Sequence, residues 1–203
     1  SRKPAMKVQI QNVQQIYKGF IQLDEATLQF EKFNGTMSRA VRRINVYRGD
    51  AVAVLLFDSL RSCCYFVRQF RYPVFTVEPQ NAWPLEVVAG SVESNDGLLV
   101  TAIREVEEEA GFRITGDQLV AIGRCYPSPG GTSERIFLYA VDVANATRVN
   151  DGGGLTAEEE DIQVIELSES QVHRRFINNE FCDAKTLLCL HWYFSRQPNR
   201  SEV

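Results

Sequence analysis

Three glutamates, Glu105, Glu108 and Glu109, stand at i, i+3 and i+4 within the run Arg104-Glu105-Val106-Glu107-Glu108-Glu109-Ala110-Gly111-Phe112. On an α-helix this spacing puts their carboxylates on one face. Like charges so placed repel by about 0.2–0.5 kcal/mol per pair. A divalent cation converts that repulsion into a binding site, and hard oxygen ligands suit Mg²⁺ or Mn²⁺. A solvated acidic face is the commoner use of such a pattern, so the surrounding residues decide between the two. Leu99, Ala102, Ile103, Val106 and Ala110 supply an apolar stripe for a core. Gly111 is placed to end the helix, and Gly90 lies in the loop before it. A helix with one buried face and one acidic face is what a rigid metal site requires.

The elements that must carry this helix are legible along the chain. Residues 8–48 read as strands, with β-branched and aromatic residues in loose alternation, and Asn34-Gly35 reads as a type I′ hairpin turn. Three such strands make a sheet too small to stand alone, so it must pack on the rest or on a second copy of the chain. From Asp50 the pattern changes to the continuous apolar runs of buried strands, 51–57 and 62–70. Further strands are expected at 83–90, 118–128, 134–143 and 162–168, a long polar loop at 144–160, and helices at 169–178 and 183–195. This order predicts an α/β chain: a mixed sheet sandwiched by helices over residues 50–203, with a small N-terminal antiparallel sheet over 1–49.

Composition narrows the function. The 203 residues carry a formal net charge of −4 and 44% hydrophobic residues, which suits a soluble globular protein and argues against a general nucleic-acid binder. No apolar run approaches the ~18 residues of a membrane span. The N-terminal SRKPAMKVQ lacks a signal region. The five cysteines follow no zinc spacing, so reduced thiols and a cytoplasmic location are expected. His173 and His191 read as structural or surface residues. No Ser/His/Asp set, Walker loop or dinucleotide fingerprint occurs.

Residues 90–112 resemble the Nudix box: Gly, five residues, Glu, seven residues, then Arg-Glu-apolar-any-Glu-Glu-any-Gly-apolar. Spacing agrees throughout, with Asp96 in place of the first Glu. The likeness continues through YKGFIQLD, FNGTMSRAVRR, VRQFR, LEVVAG, SPGGTSER, AEEEDI and DAKTLLCLHW. In that order these segments are similar to bacterial ADP-ribose pyrophosphatases of the nucleoside diphosphate sugar branch. GDP-mannose pyrophosphatases are similar too, through Gly152–Gly154 and the acidic loop that follows. A catalytically silent nucleotide-sugar sensor is the reading from another class.

The resemblance implies hydrolysis of the pyrophosphate bond of ADP-ribose to AMP and ribose 5-phosphate, with Mg²⁺ or Mn²⁺ as cofactor. Glu105, Glu109 and the backbone carbonyl of Ala89 are the expected ligands, with Glu108 in or beside the shell. Arg104 is expected to orient a carboxylate. A general base belongs on a mobile element. Alignment on Asp161-Ile162 puts it at Glu158, with Glu160 facing a metal and Glu159 or Glu160 as alternative bases; a capping box of Thr156 and Glu159 is the non-catalytic reading. Arg43 and Arg71 match phosphate-gripping arginines, and Phe20 matches an aromatic that stacks on adenine. Glu86 in LEVVAG, and Ser128, Gly130 and Glu134 in SPGGTSER, are the remaining substrate contacts. The chain is expected to form a homodimer whose small sheets exchange and complete each other's adenine pocket.

Overall fold

The computed structural model describes residues 5–93, 95–154 and 161–196. The chain divides into two compact units, one of 1–49 with 126–134 and one of 50–125 with 135–203.

The first unit is built on a three-stranded antiparallel sheet, β1 (Val8–Lys18), β2 (Gln22–Phe30) and β3 (Val41–Tyr47), with β2 central. Two register shifts in β1, after Ile10 and after Gln15, bend that edge strand. The turn at Asn34-Gly35 forms, but not as type I′. Gly35 N–H reaches Lys32 O at 2.8 Å and Lys32 N–H reaches Thr36 O at 2.8 Å, so Phe33, Asn34 and Gly35 make a three-residue loop. Only Gly35 has positive φ there, at 81°. The Asn34 carboxamide oxygen accepts from Thr36 N–H at 3.1 Å and from its hydroxyl at 2.8 Å, and this local bonding outweighs the two-residue alternative. Segment 126–134 adds to the outer side of β3: Val46 N–H donates to Gly131 O at 2.9 Å, and Val46 O accepts from Ser133 N–H at 3.2 Å.

The second unit holds a mixed sheet in the order β12 (Gln163–Ser168), β5 (Cys63–Arg68), β4 (Asp50–Asp58), β10 (Arg135–Asp142), β9 (Val120–Cys125). Two short strands, β6 (Leu85–Glu86) and β7 (Val88–Ser91), pair with β5 and β4. Among the described strands of this sheet, β4 and β10 are the pair that runs parallel, fastened at their start by a fork from Arg135 to Asp50 at 2.8 and 2.6 Å. Strand alternation divides the core into two layers. Val52, Val54, Leu56, Tyr65 and Val67 pack with Ala102, Val106 and Ala110 of helix α2 (Leu98–Ala110). Ala53, Leu55, Cys64 and Phe66 pack on the other face with Val172 of α3 (Glu169–Ile177) and Cys189 and Leu190 of α4 (Ala184–Ser195). Adjacent Cys63 and Cys64 thus enter opposite layers, and burial pushes the Cys64 thiol up to about 12. His173 and His191 present ring edges to Phe194 and Phe176.

Two further details depart from the sequence reading. A short helix, α1 (Tyr72–Val77), follows β5, with Pro73 in its first turn. The long polar loop is interrupted by β11 (Thr147–Arg148), paired with β8 (Phe112–Arg113). Among the described residues no helix is long and apolar enough to cross a membrane.

Candidate active site

Helix α2 presents the acidic face. Gly111, at φ 76°, ends it and returns its N–H to Glu107 O at 3.0 Å, as a left-handed glycine cap does. The buried stripe is not quite the expected one. Thr101, Ala102, Val106 and Ala110 are buried, whereas Leu99 is 45% exposed. Glu105 and Glu109 are buried beside this stripe, and Glu108 is half-buried.

Arg104 bridges two of the three carboxylates, with Glu105 Oε1 at 2.8 Å and Glu108 Oε2 at 2.7 Å. Burial alone would lower the affinity of its guanidinium for the proton, but the flanking Glu105 and Glu108 outweigh this and hold it above its ordinary value. Glu109 turns toward the sheet. Its carboxylate accepts from Ala89 N–H at 3.1 Å and from Gln69 Nε2 at 3.3 Å. Gln69 was not among the residues singled out from the sequence, since a glutamine at a strand end carries no periodic signal. Ala89 and Gly90 lie on β7, and a Cβ at Gly90 would sit 1.9 Å from Glu105 Oε1. Glycine there lets the Glu105 side chain lie across the strand.

This donor set suits a hard divalent cation. It is made of carboxylate oxygens, two of the carboxylates are buried, and one guanidinium lies between Glu105 and Glu108. Among the described residues no three His, Cys, Asp or Glu side chains stand as a finished cation cage. Here the Glu105 and Glu108 carboxylates face Arg104 and that of Glu109 faces Gln69 and Ala89.

Beside the acidic helix lies a second charged group. Arg71 stands just before α1 and forks onto Glu86, Nε to Oε1 at 2.7 Å and Nη2 to Oε2 at 3.0 Å. Glu86 is 3% exposed and also receives the Lys185 ammonium. Burial would raise the Glu86 carboxyl, but Arg71 and Lys185 outweigh it and hold it below the usual carboxylate range. Burial likewise works against charge on Arg71, whose proton is nevertheless held more tightly than usual by Glu86 and, further off, by Glu109 and Asp183. Lys185 is the second contributor that sequence reasoning did not single out.

The run Gly152–Gly154 is tied to the C-terminal end of α2. Gly153 N–H donates to Glu109 O at 3.1 Å, Gly154 N–H to Glu108 O at 3.1 Å, and Ile162 N–H returns to Gly153 O at 3.2 Å. All three glycines have positive φ, at 74°, 117° and 77°. Gly153 and Gly154 thus satisfy helix carbonyls that would otherwise be orphaned, while Gly152 N–H donates to Asn150 Oδ1 at 2.7 Å. Glu158 and Glu160, with Thr156 and Glu159, lie outside the described residues.

The remaining expected contacts belong to the first unit. Phe20 is 84% exposed, with the Arg48 guanidinium 5.6 Å over its ring. Arg43 lies on β3 opposite Ala26, its Nη1 donating to Arg42 O at 2.9 Å. Ser128 O accepts from Gly131 and Thr132 N–H groups, both at 3.0 Å. Glu134 N–H donates to the Thr132 hydroxyl at 3.0 Å. Gly130 lines a cleft of about 290 Å³ with Ile44, Asn45, Tyr126, Pro129 and residues 131–133.

Comparison with known proteins gives the family. The family model described as NUDIX domain matches residues 47–182. An ADP-ribose pyrophosphatase of Escherichia coli (strain K12) is 34% identical over 179 residues, 87% of this chain and 83% of the relative. A GDP-mannose pyrophosphatase of Cronobacter sakazakii is 30% identical over 173 residues, 85% of this chain and 87% of the relative. A crystal structure of an ADP compounds hydrolase superposes with a TM-score of 0.69 at 16% identity, covering 96% of each chain, a likeness of fold. With a family match over most of its length and carboxylates of the box gathered on one helix, the chain belongs to the Nudix family of pyrophosphate-bond hydrolases.

Proposed function

We propose that the protein hydrolyses ADP-ribose to AMP and ribose 5-phosphate in the presence of Mg²⁺, for which Mn²⁺ can substitute. The observation that carries this reading is the nearness of buried Glu109, which shares the acidic face of α2 with Glu105, to the Arg71 guanidinium, whose proton it helps to hold. Such a pairing of cation ligands with a phosphate-binding fork suits a diphosphate. The similarity to proteins named ADP-ribose pyrophosphatase, at 34% and 31% identity, supports the choice of sugar.

Glu105, Glu109 and the Ala89 carbonyl would hold the cation, with Glu108 adjacent and Glu160 as a further ligand. When bound, the cation neutralises the diphosphate and lowers the pKa of an attacking water. Arg104 keeps Glu105 and Glu108 oriented. Glu158 takes the proton from the water. Arg71 and Arg43 hold phosphate oxygens, and Glu86 holds Arg71. Phe20 stacks on the adenine, while Ser128, Gly130 and Glu134 contact the ribose side. The small sheet belongs to a homodimer interface: Val8, Ile10, Val13 and Ile16 of β1 are each more than half exposed in the single chain, an apolar edge that a second copy would cover.

GDP-mannose is the second reading, favoured by relatives so named at 29–30% identity. Steady-state kcat/KM for ADP-ribose, GDP-mannose and ADP-glucose, with and without Mg²⁺, decides between them. ADP-ribose is expected to lead by at least roughly tenfold, a discrimination worth about 1.4 kcal/mol. Faster GMP release would transfer the assignment, and nucleotide-sugar binding with no product would make the chain a sensor.

A further inference from the structure

Lys185 follows Glu86 by 99 positions, yet its ammonium meets the same carboxylate oxygen, Oε2, that accepts from Arg71 Nη2. An arginine fork on a carboxylate ordinarily pairs one positive with one negative charge. Here two cations share one carboxylate. Asp183, the other acid of the group, receives Lys185 through Oδ1 at 2.9 Å. Its Oδ2 accepts the Thr186 N–H at 3.0 Å and the Thr186 hydroxyl at 2.5 Å. Asp183 is thereby the N-cap of α4, and the helix dipole offsets part of its charge. With Lys185 present, the two cations and the two carboxylates of the group balance.

The group opens to solvent at one end. The side chains of Glu86 and Lys185 are 4% and 12% exposed, and that of Arg71 is 34% exposed. The Thr186 hydroxyl also accepts Val87 N–H at 2.9 Å, so α4 is already tied to the strand bearing Glu86 without Lys185. The second cation therefore has an electrostatic role beyond attachment.

We propose that Lys185 is a positioning residue for substrate binding: it neutralises Glu86, so that Arg71 is held in a fixed fork while its charge remains available to a phosphate. This rests on the reading that Arg71 grips the diphosphate. Without Lys185, Glu86 and Asp183 face Arg71 alone, and the group presents a net negative charge to the ligand.

A double-mutant cycle on the full-length protein tests this. KM and kcat for ADP-ribose, and the affinity for ADP by calorimetry, are measured for wild type, Lys185→Met, Arg71→Gln and the double variant, with thermal unfolding alongside. Lys185→Met is expected to raise KM and weaken ADP binding by about tenfold with kcat changed less than about threefold. In the Arg71→Gln background it should add no further loss. Lys185→Arg should restore binding to within about threefold, since the charge returns. Lys185→Gln, which keeps a donor without the charge, is measured in parallel in case the methionine variant does not fold. Equal losses from Lys185→Met with and without Arg71, or unchanged binding in Lys185→Met, would overturn the inference. ADP readout is independent of turnover: coupled ADP binding with no nucleotide-sugar hydrolysis would uphold Lys185 and sink the hydrolase reading, and the converse would sink only Lys185.

Discussion

Gly90 and Glu105 occupy the same space: a single methyl on the glycine would fall 1.9 Å from a carboxylate oxygen of the glutamate. The first glycine of the box is thus selected for by a side chain fifteen positions on. Gly90→Ala should expel Glu105 from its place beside Arg104, lower kcat/KM by roughly a hundredfold and raise the Mg²⁺ concentration for half-activation. It should cost about 1–3 kcal/mol of stability from the overpacking. Metal titrations of activity together with thermal unfolding check this, and unaltered Mg²⁺ dependence would refute it.

Glu109→Gln keeps shape and one acceptor while removing the charge. The Ala89 N–H retains an oxygen to donate to, and the Gln69 carboxamide can turn its own oxygen toward the new NH2 group, so the fold should persist, with Tm within a few degrees of wild type. Turnover should fall by on the order of 10³, the scale of a lost electrostatic contact in a transition state. Near-normal turnover would remove Glu109 from the cation site.

Gly152 is the most demanding glycine of the acidic-loop base. Its φ is +74°, and a Cβ would stand 2.3 Å from Glu109 O. Gly152→Ala should destabilise the protein by about 1–3 kcal/mol through left-handed strain and the clash. It should also depress kcat by at least roughly tenfold by loosening the attachment at Glu108 O and Glu109 O. Denaturant unfolding and steady-state kinetics on one preparation test both effects.

Burial favours the neutral form of Glu86, but Arg71 and Lys185 prevail, so its folded-state pKa lies below the ordinary value of 4.5. The sign of the linkage follows. Its stabilisation is complete above that ordinary value and is lost as pH falls through the lower folded value. The Tm of wild type should therefore drop more steeply than that of Glu86→Gln between about pH 5 and pH 3. Parallel slopes in calorimetric scans across that range would contradict the shift.

The small sheet provides a solution test. Ile10 and Val13 of β1 are 63% and 55% exposed in the single chain. A charged pair of substitutions, Ile10→Asp with Val13→Asp, should halve the sedimenting mass if a second copy covers them. An unchanged mass would place the interface elsewhere.

Much of this protein could be read from one dimension because its signals are local. The spacing of Glu105, Glu108 and Glu109 dictates a shared helix face, Gly111 marks the stop, and the apolar runs at 51–57 and 62–70 announce buried strands. Each depends on residues within a turn or a pleat of one another. The Asn34-Gly35 turn was legible in place but not in type, because Thr36 competes for the Asn34 side chain. Leu99 belonged by periodicity to the buried stripe, and packing put Thr101 there instead. Only the tertiary structure joined Lys185 to Glu86 and Arg71, Gln69 to Glu109, and residues 126–134 to the edge of β3. Those partnerships arise where the ends of strands and helices converge, and charge neutralisation between such ends has no periodicity for a sequence to display.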